Sequence, residues 1–239
     1  MHEVDPRRAL SFGAAADVYA LARPGYPAEA LRSVLPEGAR RVLDLGAGTG
    51  KVTAGLLDLG LQVVAVEPDE AMRAHVDARA TVLAGTAEDL PVEDNSVDAV
   101  VVGQAWHWFS LPQAVASVLR VLRPGGTLGL LWNVLDDTSG WPLALAEVIG
   151  MEDRLSLVSP EDTRPYEEPD GLGPWARQLF PHTQPADADL VVANAASRSV
   201  VIVLPPDERL AVLGRVRDAV PPGEFEIPWV CDAWRTTRP

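Results

Sequence analysis

The chain has 239 residues, of which 47% are hydrophobic, and this length and composition suit one α/β domain. Its formal net charge is −14. This charge argues against nucleic-acid substrates, because their phosphates are bound by clustered basic residues. The single cysteine, Cys231, excludes an intramolecular disulfide, and the four histidines show no metal-ligand spacing, so we expect no metal. Neither a run of about 20 apolar residues nor an N-terminal signal pattern occurs, so we expect a cytoplasmic protein that has no membrane partner.

Strands and helices are predicted to alternate from residue 41 onward. The predicted strands span 41–45, 62–66, 81–84, 97–102 and 127–133, and the predicted helices span 51–59, 69–78 and 111–122. This alternation predicts a parallel sheet with helices on both faces. In such sheets the ligand lies at the carboxyl ends of the strands.

The last hundred residues are less regular and rich in proline. Short helices are predicted at 141–149 and 174–179, on either side of an acidic, loop-like stretch at 161–173. Two further strands, 180–184 and 225–234, are predicted with a helix at 206–219 between them. We interpret the middle of this region as a cap over a substrate pocket, because its prolines interrupt any long element.

The first predicted strand ends in three closely spaced glycines. Gly46, Gly48 and Gly50 let the backbone approach a small molecule, and the next helix offers free N–H groups. A P-loop is excluded, because it needs four residues between its first glycine and Gly-Lys-Ser/Thr and only three separate Gly46 from Gly50. A dinucleotide loop is disfavoured, because its sixth position, here Lys51, should be glycine or alanine. Asp44 would repel a pyrophosphate and attract an ammonium or sulfonium, which favours an S-adenosylmethionine loop.

The next strand ends in a second acidic residue, Glu67. Glu67 follows the first glycine of the loop by roughly 20 positions, where acidic side chains bind ribose hydroxyls. The alternative is an exposed acid at the start of a helix. Asp69 is predicted to be the N-cap of that helix.

Five segments in sequence order carry a resemblance to a known family: Asp44-Leu-Gly-Ala-Gly-Thr-Gly50, Val66-Glu-Pro68, Gly85-Thr-Ala-Glu-Asp-Leu-Pro91, Ser96-Val-Asp-Ala-Val-Val-Val102 and Arg123-Pro-Gly-Gly126. Across residues 40–133 the chain resembles the class I S-adenosylmethionine-dependent methyltransferases with a methyltransferase-11-type core. The flanking segments 19–27, 103–109, 197–199 and 227–228 resemble, more loosely, the trans-aconitate methyltransferase-like subgroup.

The resemblance implies an α/β fold, a single Rossmann-like three-layer sandwich whose seven-stranded sheet is mostly parallel and carries a helical cap. One domain would then span 1–239, with an N-terminal helical cap segment (1–39), a cofactor-binding core (40–133), a substrate-cap insertion (134–179) and C-terminal strands and helix that complete the sheet (180–239).

The resemblance also implies the cofactor, S-adenosyl-L-methionine, and the residues that contact it. The cofactor-binding residues implied are Tyr19, Arg23, Asp44, Gly46, Ala47, Gly48, Gly50, Glu67, Pro68, Met72, Thr86, Ala87, Glu88, Gln104 and Ala105. Many members have an aspartate where this chain has Thr86, so the adenine contact departs from the family pattern there. Arg23 is expected to pair with the cofactor carboxylate, or alternatively to end a helix in solvent.

Aromatic residues and a histidine follow the fourth strand. His107 is the candidate general base, for acceptors that must lose a proton, because a histidine side chain ordinarily titrates near neutral pH; a packed structural histidine is the alternative. Trp106, Trp108 and Trp132 are candidates for an apolar acceptor pocket, or else belong to the core.

These observations predict methyl transfer to a small organic acceptor, with O- and C-methylation both open. A non-catalytic S-adenosylmethionine-binding protein is one alternative. An NAD(P)-dependent oxidoreductase is the other, but the only lysine is Lys51, so a Tyr-x-x-x-Lys proton donor is absent from the sequence. The oligomeric state and the acceptor are not predicted.

Overall fold

The fold is organised around a seven-stranded sheet, seen in a computed structural model that describes residues 22–138, 140–150 and 170–239. The strands are β1 (Arg41–Leu45), β2 (Gln62–Val66), β3 (Thr81–Leu83), β4 (Val97–Gly103), β5 (Leu122–Leu135), β6 (Ala176–Ala186) and β7 (Phe225–Thr237). The helices are α1 (Ala28–Ser33), α2 (Lys51–Asp58), α3 (Glu70–Arg73), α4 (Leu111–Val121), α5 (Trp141–Ile149), α6 (Ala188–Ala196), α7 (Ser199–Ile202) and α8 (Pro206–Ala219). A 3₁₀ turn, Trp106–Trp108, lies between β4 and α4.

The strands follow the order β3-β2-β1-β4-β5-β7-β6. Strand β1 pairs in parallel with β2 and β4, and in this register Asp44 lies beside Ala65 on one side and Val101 on the other. The sheet is open and mostly parallel, with one antiparallel hairpin. The predicted α/β fold with a seven-stranded sheet is therefore confirmed.

The chain divides into two compact units. The core unit comprises, among the described residues, 25–132, 170–180 and 231–239, and the accessory unit comprises 22–24, 133–150 and 181–230. The prediction of a single domain over the whole chain is not tested by this division and stays a prediction.

The core unit has an apolar cluster on each face of its sheet. Leu43 packs in one cluster with Val118 of α4, and Val42 packs in the other with Leu31 of α1 and Leu56 of α2. Neighbouring residues of a strand point to opposite faces, so strands buried on both faces appear in the sequence as continuous apolar runs. The result is the predicted arrangement of helix, sheet and helix.

The accessory unit has an apolar cluster of its own. Leu145 of α5, Val191 of α6 and Val216 of α8 pack with Leu135 and Trp229 from the strands. The predicted helices at 141–149 and 206–219 are confirmed here, whereas α6 and α7 were not predicted.

The helix predicted at 174–179 is wrong, because β6 begins at Ala176. The side chain of Arg177 donates two hydrogen bonds to Asp232, at 2.8 and 2.9 Å, and lies 4.8 Å from the ring centroid of Trp234. These contacts with β7 favour extended backbone over local helix propensity. Strand β6 ends the strand order of the sheet and contains Pro181 and Pro185.

Two other boundaries differ from prediction. Helix α3 ends at Arg73, although helix was predicted to 78, and β5 starts at Leu122, although a strand was predicted only from 127. Leu122 pairs with Val97 and Thr127 with Ala99, so the intervening Pro and Gly residues form a bulge within one strand. The acidic stretch predicted as loop at 161–173 lies largely outside the described residues.

Candidate cofactor-binding and active site

The glycine loop after β1 is fixed to the neighbouring strand and closely packed. Gly46, Gly48 and Gly50 have φ of 69°, 55° and 82°, which L side chains rarely adopt. The N–H groups of Gly46 and Ala47 both donate to the carbonyl of Val66, at 2.9 and 3.1 Å. A Cβ atom on Gly46 would lie 2.9 Å from the Cβ of Ala105 and 3.1 Å from the ring of Phe109, so only glycine fits there.

Asp44 is completely buried beneath this loop. The hydroxyl of Thr53, in the first turn of α2, donates to its Oδ2 at 2.5 Å, and the backbone of Thr53 is also hydrogen-bonded to this carboxyl group. Within the described part of the chain, its Oδ1 has no hydrogen-bond partner. Burial raises the pKa of Asp44 to about 7, an effect that Thr53 partly offsets.

Glu67 is held by two backbone N–H groups. Gly48 N–H donates to its Oε2 and Asp69 N–H to its Oε1, both at 3.0 Å. Burial raises the pKa of Glu67, although both amides act in the opposite direction. The charges of Glu67 and Asp44 also repel each other, which adds to the raised pKa of Asp44.

These residues fit a cationic cofactor better than a phosphate-containing one. Two poorly hydrated carboxyl groups are stabilised in their ionised form by a nearby positive charge. Asp44 also has a buried acceptor atom that no described residue satisfies, and a buried acceptor of this kind is costly unless a partner is bound. S-adenosylmethionine carries an ammonium and a sulfonium group, whereas a pyrophosphate would add negative charge. The donor and acceptor set therefore fits S-adenosylmethionine.

The turn after β3 holds the residues predicted to contact adenine. Ala87 is buried, and Thr86 is exposed with its hydroxyl oxygen 3.3 Å from the N–H of Asp89. The carboxylate of Glu88 accepts a hydrogen bond at 2.8 Å from the N–H of Ser110, which precedes α4. Glu88 thus has a structural contact at the start of a helix in addition to its predicted role, which stays a prediction.

The chain changes direction sharply where β4 ends. Gln104 has a φ of 58°, one of two positive values at non-glycine residues within the described ranges, and its N–H donates to Leu131 at 2.9 Å. A Cβ atom on Gly103 would lie 2.7 Å from the hydroxyl of Tyr26, so this tyrosine contacts the end of the strand. Non-glycine residues in this conformation are uncommon and concentrate at functional sites.

The aromatic residues after β4 differ in their surroundings. His107 is exposed, with its ring centroid 4.7 Å from that of Trp108. Trp106 is only 1% exposed and packs in the core edge-to-face with Phe109, with the ring centroids 5.9 Å apart. Trp132 is partly buried against the same core cluster. The core alternative for Trp106 matches this burial, and the roles predicted for the other residues stay predictions.

The structure places the remaining predicted residues as follows. Met72 is 5% exposed, and its side chain lies 3.6 Å from the position of a Cβ on Gly48. Pro68 is exposed beside Glu67. Arg23 belongs to the accessory unit, where its Nε donates to the Ser197 hydroxyl at 3.2 Å. Tyr19 lies outside the described residues.

Thr53 was not predicted as a site residue, and Phe109, which the sequence groups with the other aromatic residues after the fourth strand, was not predicted to pack on the glycine loop. Thr53 is three positions after Gly50, the N-cap residue of α2, which has no side chain to cap the helix. The first turn of such a helix needs other hydrogen-bond partners. The position of Thr53 in that turn was therefore a signal that it could take part in hydrogen bonding there. The contact of Phe109 with the glycine loop joins residues more than 60 positions apart. No local pattern predicts such a contact.

The described ranges contain no side-chain cluster suited to a metal ion and no helix suited to spanning a membrane. No group of three or more His, Cys, Asp or Glu side chains there is arranged to hold a metal ion. No helix in those same ranges has the length and apolar character needed to cross a membrane.

Comparison with known proteins decides the family. Residues 43–130 match the model of the Methyltransferase domain family. An uncharacterised methyltransferase of Mycobacterium tuberculosis strain H37Rv is 47% identical over 216 residues, which cover 87% of this chain and 84% of the relative. The chain belongs to the class I S-adenosylmethionine-dependent methyltransferases.

Other similar proteins agree with this family. A demethylmenaquinone methyltransferase of Clavibacter sepedonicus is 38% identical to this methyltransferase over 104 residues, 41% of this chain and 42% of the relative. A solved structure of a presumed type II methyltransferase from Anaeromyxobacter dehalogenans has a TM-score of 0.66 and 23% identity, and the match covers 90% of this chain and 97% of that one. The latter likeness shows the shared fold, and the methyltransferase family implies the use of S-adenosylmethionine.

Proposed function

We propose that this methyltransferase transfers the methyl group of S-adenosylmethionine to a small organic acceptor, at oxygen or carbon. The observation that carries the cofactor half of this proposal is the buried carboxyl group of Asp44. Its Oδ1 has no partner among the described residues, and it lies directly beneath a loop whose glycines exclude side chains.

Each end of the cofactor is assigned to chemically suited residues of the core unit. Asp44 accepts from the ammonium group, and Glu67 accepts from the ribose hydroxyls. The turn at 86–88 holds the adenine. The other assigned neighbours are Gly46, Ala47, Gly48, Gly50, Pro68, Met72, Gln104 and Ala105. The pairing of Arg23 with the carboxylate stays a prediction.

When bound, the cofactor supplies a methyl group on an already activated sulfur leaving group. The residues of the chain therefore act mainly by orientation, which contributes up to roughly 7 to 11 kcal/mol in well-positioned reactions. His107 removes a proton where the acceptor is a hydroxyl or an acidic carbon. It is exposed after β4, where an acceptor proton can reach the ring.

A small acceptor is supported by charge and by one relative. The net charge of −14 disfavours nucleic acids. The Clavibacter relative is named for a small-molecule acceptor, demethylmenaquinone. The finer likeness to trans-aconitate methyltransferase-like proteins, and a cytoplasmic location, stay predictions.

Calorimetry with the purified chain tests the cofactor assignment. S-adenosylmethionine and S-adenosylhomocysteine should bind, and NADH should not. Asp44→Ala should weaken binding at least tenfold, because it removes a charge-assisted hydrogen bond, whereas Asp218→Ala, at an exposed position of α8, should leave binding unchanged. Binding of NADH in preference to S-adenosylmethionine would overturn the assignment.

Acceptor pools can then be screened for release of S-adenosylhomocysteine. Release that depends on a small organic pool supports the proposal, and release driven only by nucleic acid or protein would contradict it. With an acceptor found, His107→Ala should lower turnover and leave the cofactor Kd unchanged. Unchanged turnover would make His107 a structural residue.

A further inference from the structure

Residues 86–94 of the core unit form neither a helix nor a strand. The first of them, 86–88, are the residues assigned to the adenine. Further along this segment, Leu90 and Val92 are 3% and 7% exposed and pack in the core cluster that contains Val118 of α4. Because the segment belongs to no helix or strand ladder, its backbone carbonyls need other hydrogen-bond partners.

Helix α4 supplies partners for three of these carbonyls. The hydroxyl of Ser117 donates to the carbonyl of Glu88 at 2.9 Å. The guanidinium of Arg120 donates to the carbonyls of Leu90 and Val92, at 2.8 and 2.7 Å. Ser117 and Arg120 are three positions apart and therefore project from the same face of the helix. Alternate residues of the segment are thus attached to one face of α4.

Glu88 is attached to α4 at a second point. Its carboxylate accepts a hydrogen bond at 2.8 Å from the N–H of Ser110, the N-cap residue of α4, while its carbonyl accepts from Ser117. A shift of the segment along α4 would therefore displace Glu88, the acidic member of the turn assigned to the adenine.

We propose that Ser117 and Arg120 are positioning residues for adenine recognition, and that they act through the backbone of segment 86–94. The inference rests on the proposed function, in which residues 86–88 hold the adenine. A binding site discriminates between similar ligands only when its donors and acceptors are held to within about 0.5 Å. Loss of the hydrogen bonds from α4 should therefore reduce selectivity for the base.

The carbonyl contacts of Arg120 carry this role, and its ion pair does not. Arg120 also pairs with Asp94 at 2.7 Å, but these side chains are 37% and 67% exposed, and exposed ion pairs contribute little. A planar guanidinium has several N–H donors in fixed directions, so it can bind the carbonyls of Leu90 and Val92 together. Asp94→Asn should therefore leave the selectivity for the base unchanged.

Two cofactor analogues that differ only in the base measure this selectivity. S-adenosylhomocysteine has an amino group at purine C6 and an acceptor at N1, whereas S-inosylhomocysteine has a carbonyl at C6 and an N–H at N1. In calorimetry, the wild-type chain should bind the adenine analogue about 10- to 100-fold more tightly, because hypoxanthine reverses both hydrogen-bonding roles. Arg120→Met should bring this ratio to about threefold or less, and Ser117→Ala should lower it about threefold.

Arg123→Met is the matched control for loss of a partly exposed arginine. The Arg123 side chain is 47% exposed and pairs with Asp98 of β4, and its Nε donates to the Asn95 carbonyl at 3.3 Å, just beyond the segment. This variant should have a lower Tm than wild type and keep the wild-type ratio of affinities. A purely structural role of Arg120 would give the same result in Arg120→Met.

The outcomes separate this inference from the proposed function. An unchanged ratio in both Arg120→Met and Ser117→Ala would overturn the positioning role while the cofactor assignment stands, and Ser117→Ala decides alone where Arg120→Met does not fold. An Asp94→Asn variant as unselective as Arg120→Met would overturn the role of the carbonyl contacts. Equal binding of the two analogues by wild type would overturn the adenine assignment and this inference, and failure to bind S-adenosylhomocysteine would overturn the proposed function itself.

Discussion

At the scale of single residues, Asp44 serves the fold and the site with different oxygen atoms. Its Oδ2 accepts from Thr53 in the first turn of α2, and its Oδ1 has no partner among the described residues. A buried carboxylate is poorly stabilised unless a cation or several donors accompany it. The ligand-free fold therefore carries an electrostatic penalty that a cationic cofactor relieves.

Asp44→Asn tests this penalty through stability. A carboxyl pKa raised from 3.8 to about 7 means that the folded state holds the proton more tightly, so stability falls as pH rises through this window. The shift corresponds to an upper limit of roughly 4 kcal/mol. Thermal scans of the ligand-free variant should give a Tm several degrees above wild type at pH 8 and no difference near pH 4. A lower Tm at pH 8 would contradict the penalty.

The same carboxyl group predicts how cofactor affinity depends on pH. Asp44 must be ionised to pair with the ammonium group, and its pKa in the ligand-free protein is about 7. Calorimetric affinity for S-adenosylhomocysteine should be constant above pH 8 and fall by up to about tenfold per pH unit below 7. Asp44→Asn should bind weakly with a flat profile between pH 5.5 and 8.5; a steep profile in this variant would assign the effect to another group.

The acidic members of the candidate site could be predicted from the sequence, because Asp44 and Glu67 end strands in register with the glycine loop. Their partners could not. Thr53 and Phe109 approach the loop only after helix α2 and the turn following β4 have packed, and the sequence records neither distance. The partial burial of Glu88 against Ser110 has the same origin.

At the scale of elements, the glycine loop combines unusual backbone angles with close packing. Gly46 and Gly125 both have positive φ, 69° and 78°, but a Cβ would meet neighbouring atoms only at Gly46. Both alanine variants should lose about 1 to 2 kcal/mol of unfolding free energy from the backbone angle. Gly46→Ala should lose more, together with cofactor affinity, as measured by denaturant unfolding and calorimetry. A Gly125→Ala variant that binds the cofactor equally weakly would argue against local packing as the cause.

The ion pair between Arg177 of β6 and Asp232 of β7 links these two strands. The side chains of Arg177 and Asp232 are 16% and 10% exposed. Arg177→Met should destabilise the chain by about 3 kcal/mol, because the Asp232 carboxylate stays behind without its cation. Adding Asp232→Leu should recover most of the loss in urea unfolding. A double variant as unstable as the single one would show that the pair itself is needed.

The strands were predictable where apolar runs are uninterrupted. Strands β1 and β2 have the predicted bounds, because both are buried in the middle of a parallel sheet and consist largely of apolar residues. The helix wrongly predicted at 174–179 overlaps the start of β6, a strand in which exposed and partly buried residues alternate. Its extended conformation depends on contacts with Asp232 and Trp234 of β7, which the local sequence does not show. Helix α3 stops at Arg73, whose guanidinium donates to the backbone carbonyls of Glu67 and Pro68.

At the scale of the whole molecule, the net charge of −14 dominates. Repulsion among surface carboxylates destabilises compact states and is weakened by salt, since the screening length is about 10 Å at 0.1 M. The Tm of the ligand-free chain should therefore rise by a few degrees between 20 and 300 mM NaCl. A Tm that falls with added salt would show that attractive ion pairs outweigh the repulsion.

The overall fold was predictable because alternating strands and helices admit few topologies. Right-handed crossovers bring the ends of β1, β2 and β4 to one edge without any knowledge of side-chain packing. The accessory unit was less predictable, because helix α6 combines buried and partly buried apolar positions with little periodicity. Helix α6 packs on α8, which also contacts α5.

The last strand of the sheet order, β6, contains Pro181 and Pro185. A proline has no N–H to offer, so within a sheet it is tolerated where no neighbouring strand follows. Two prolines in an outermost strand leave gaps in the row of backbone N–H donors with which a second polypeptide would pair. No strand of the described residues follows β6 in the sheet order, and we expect its two prolines to disfavour pairing of this edge with a second copy of the chain.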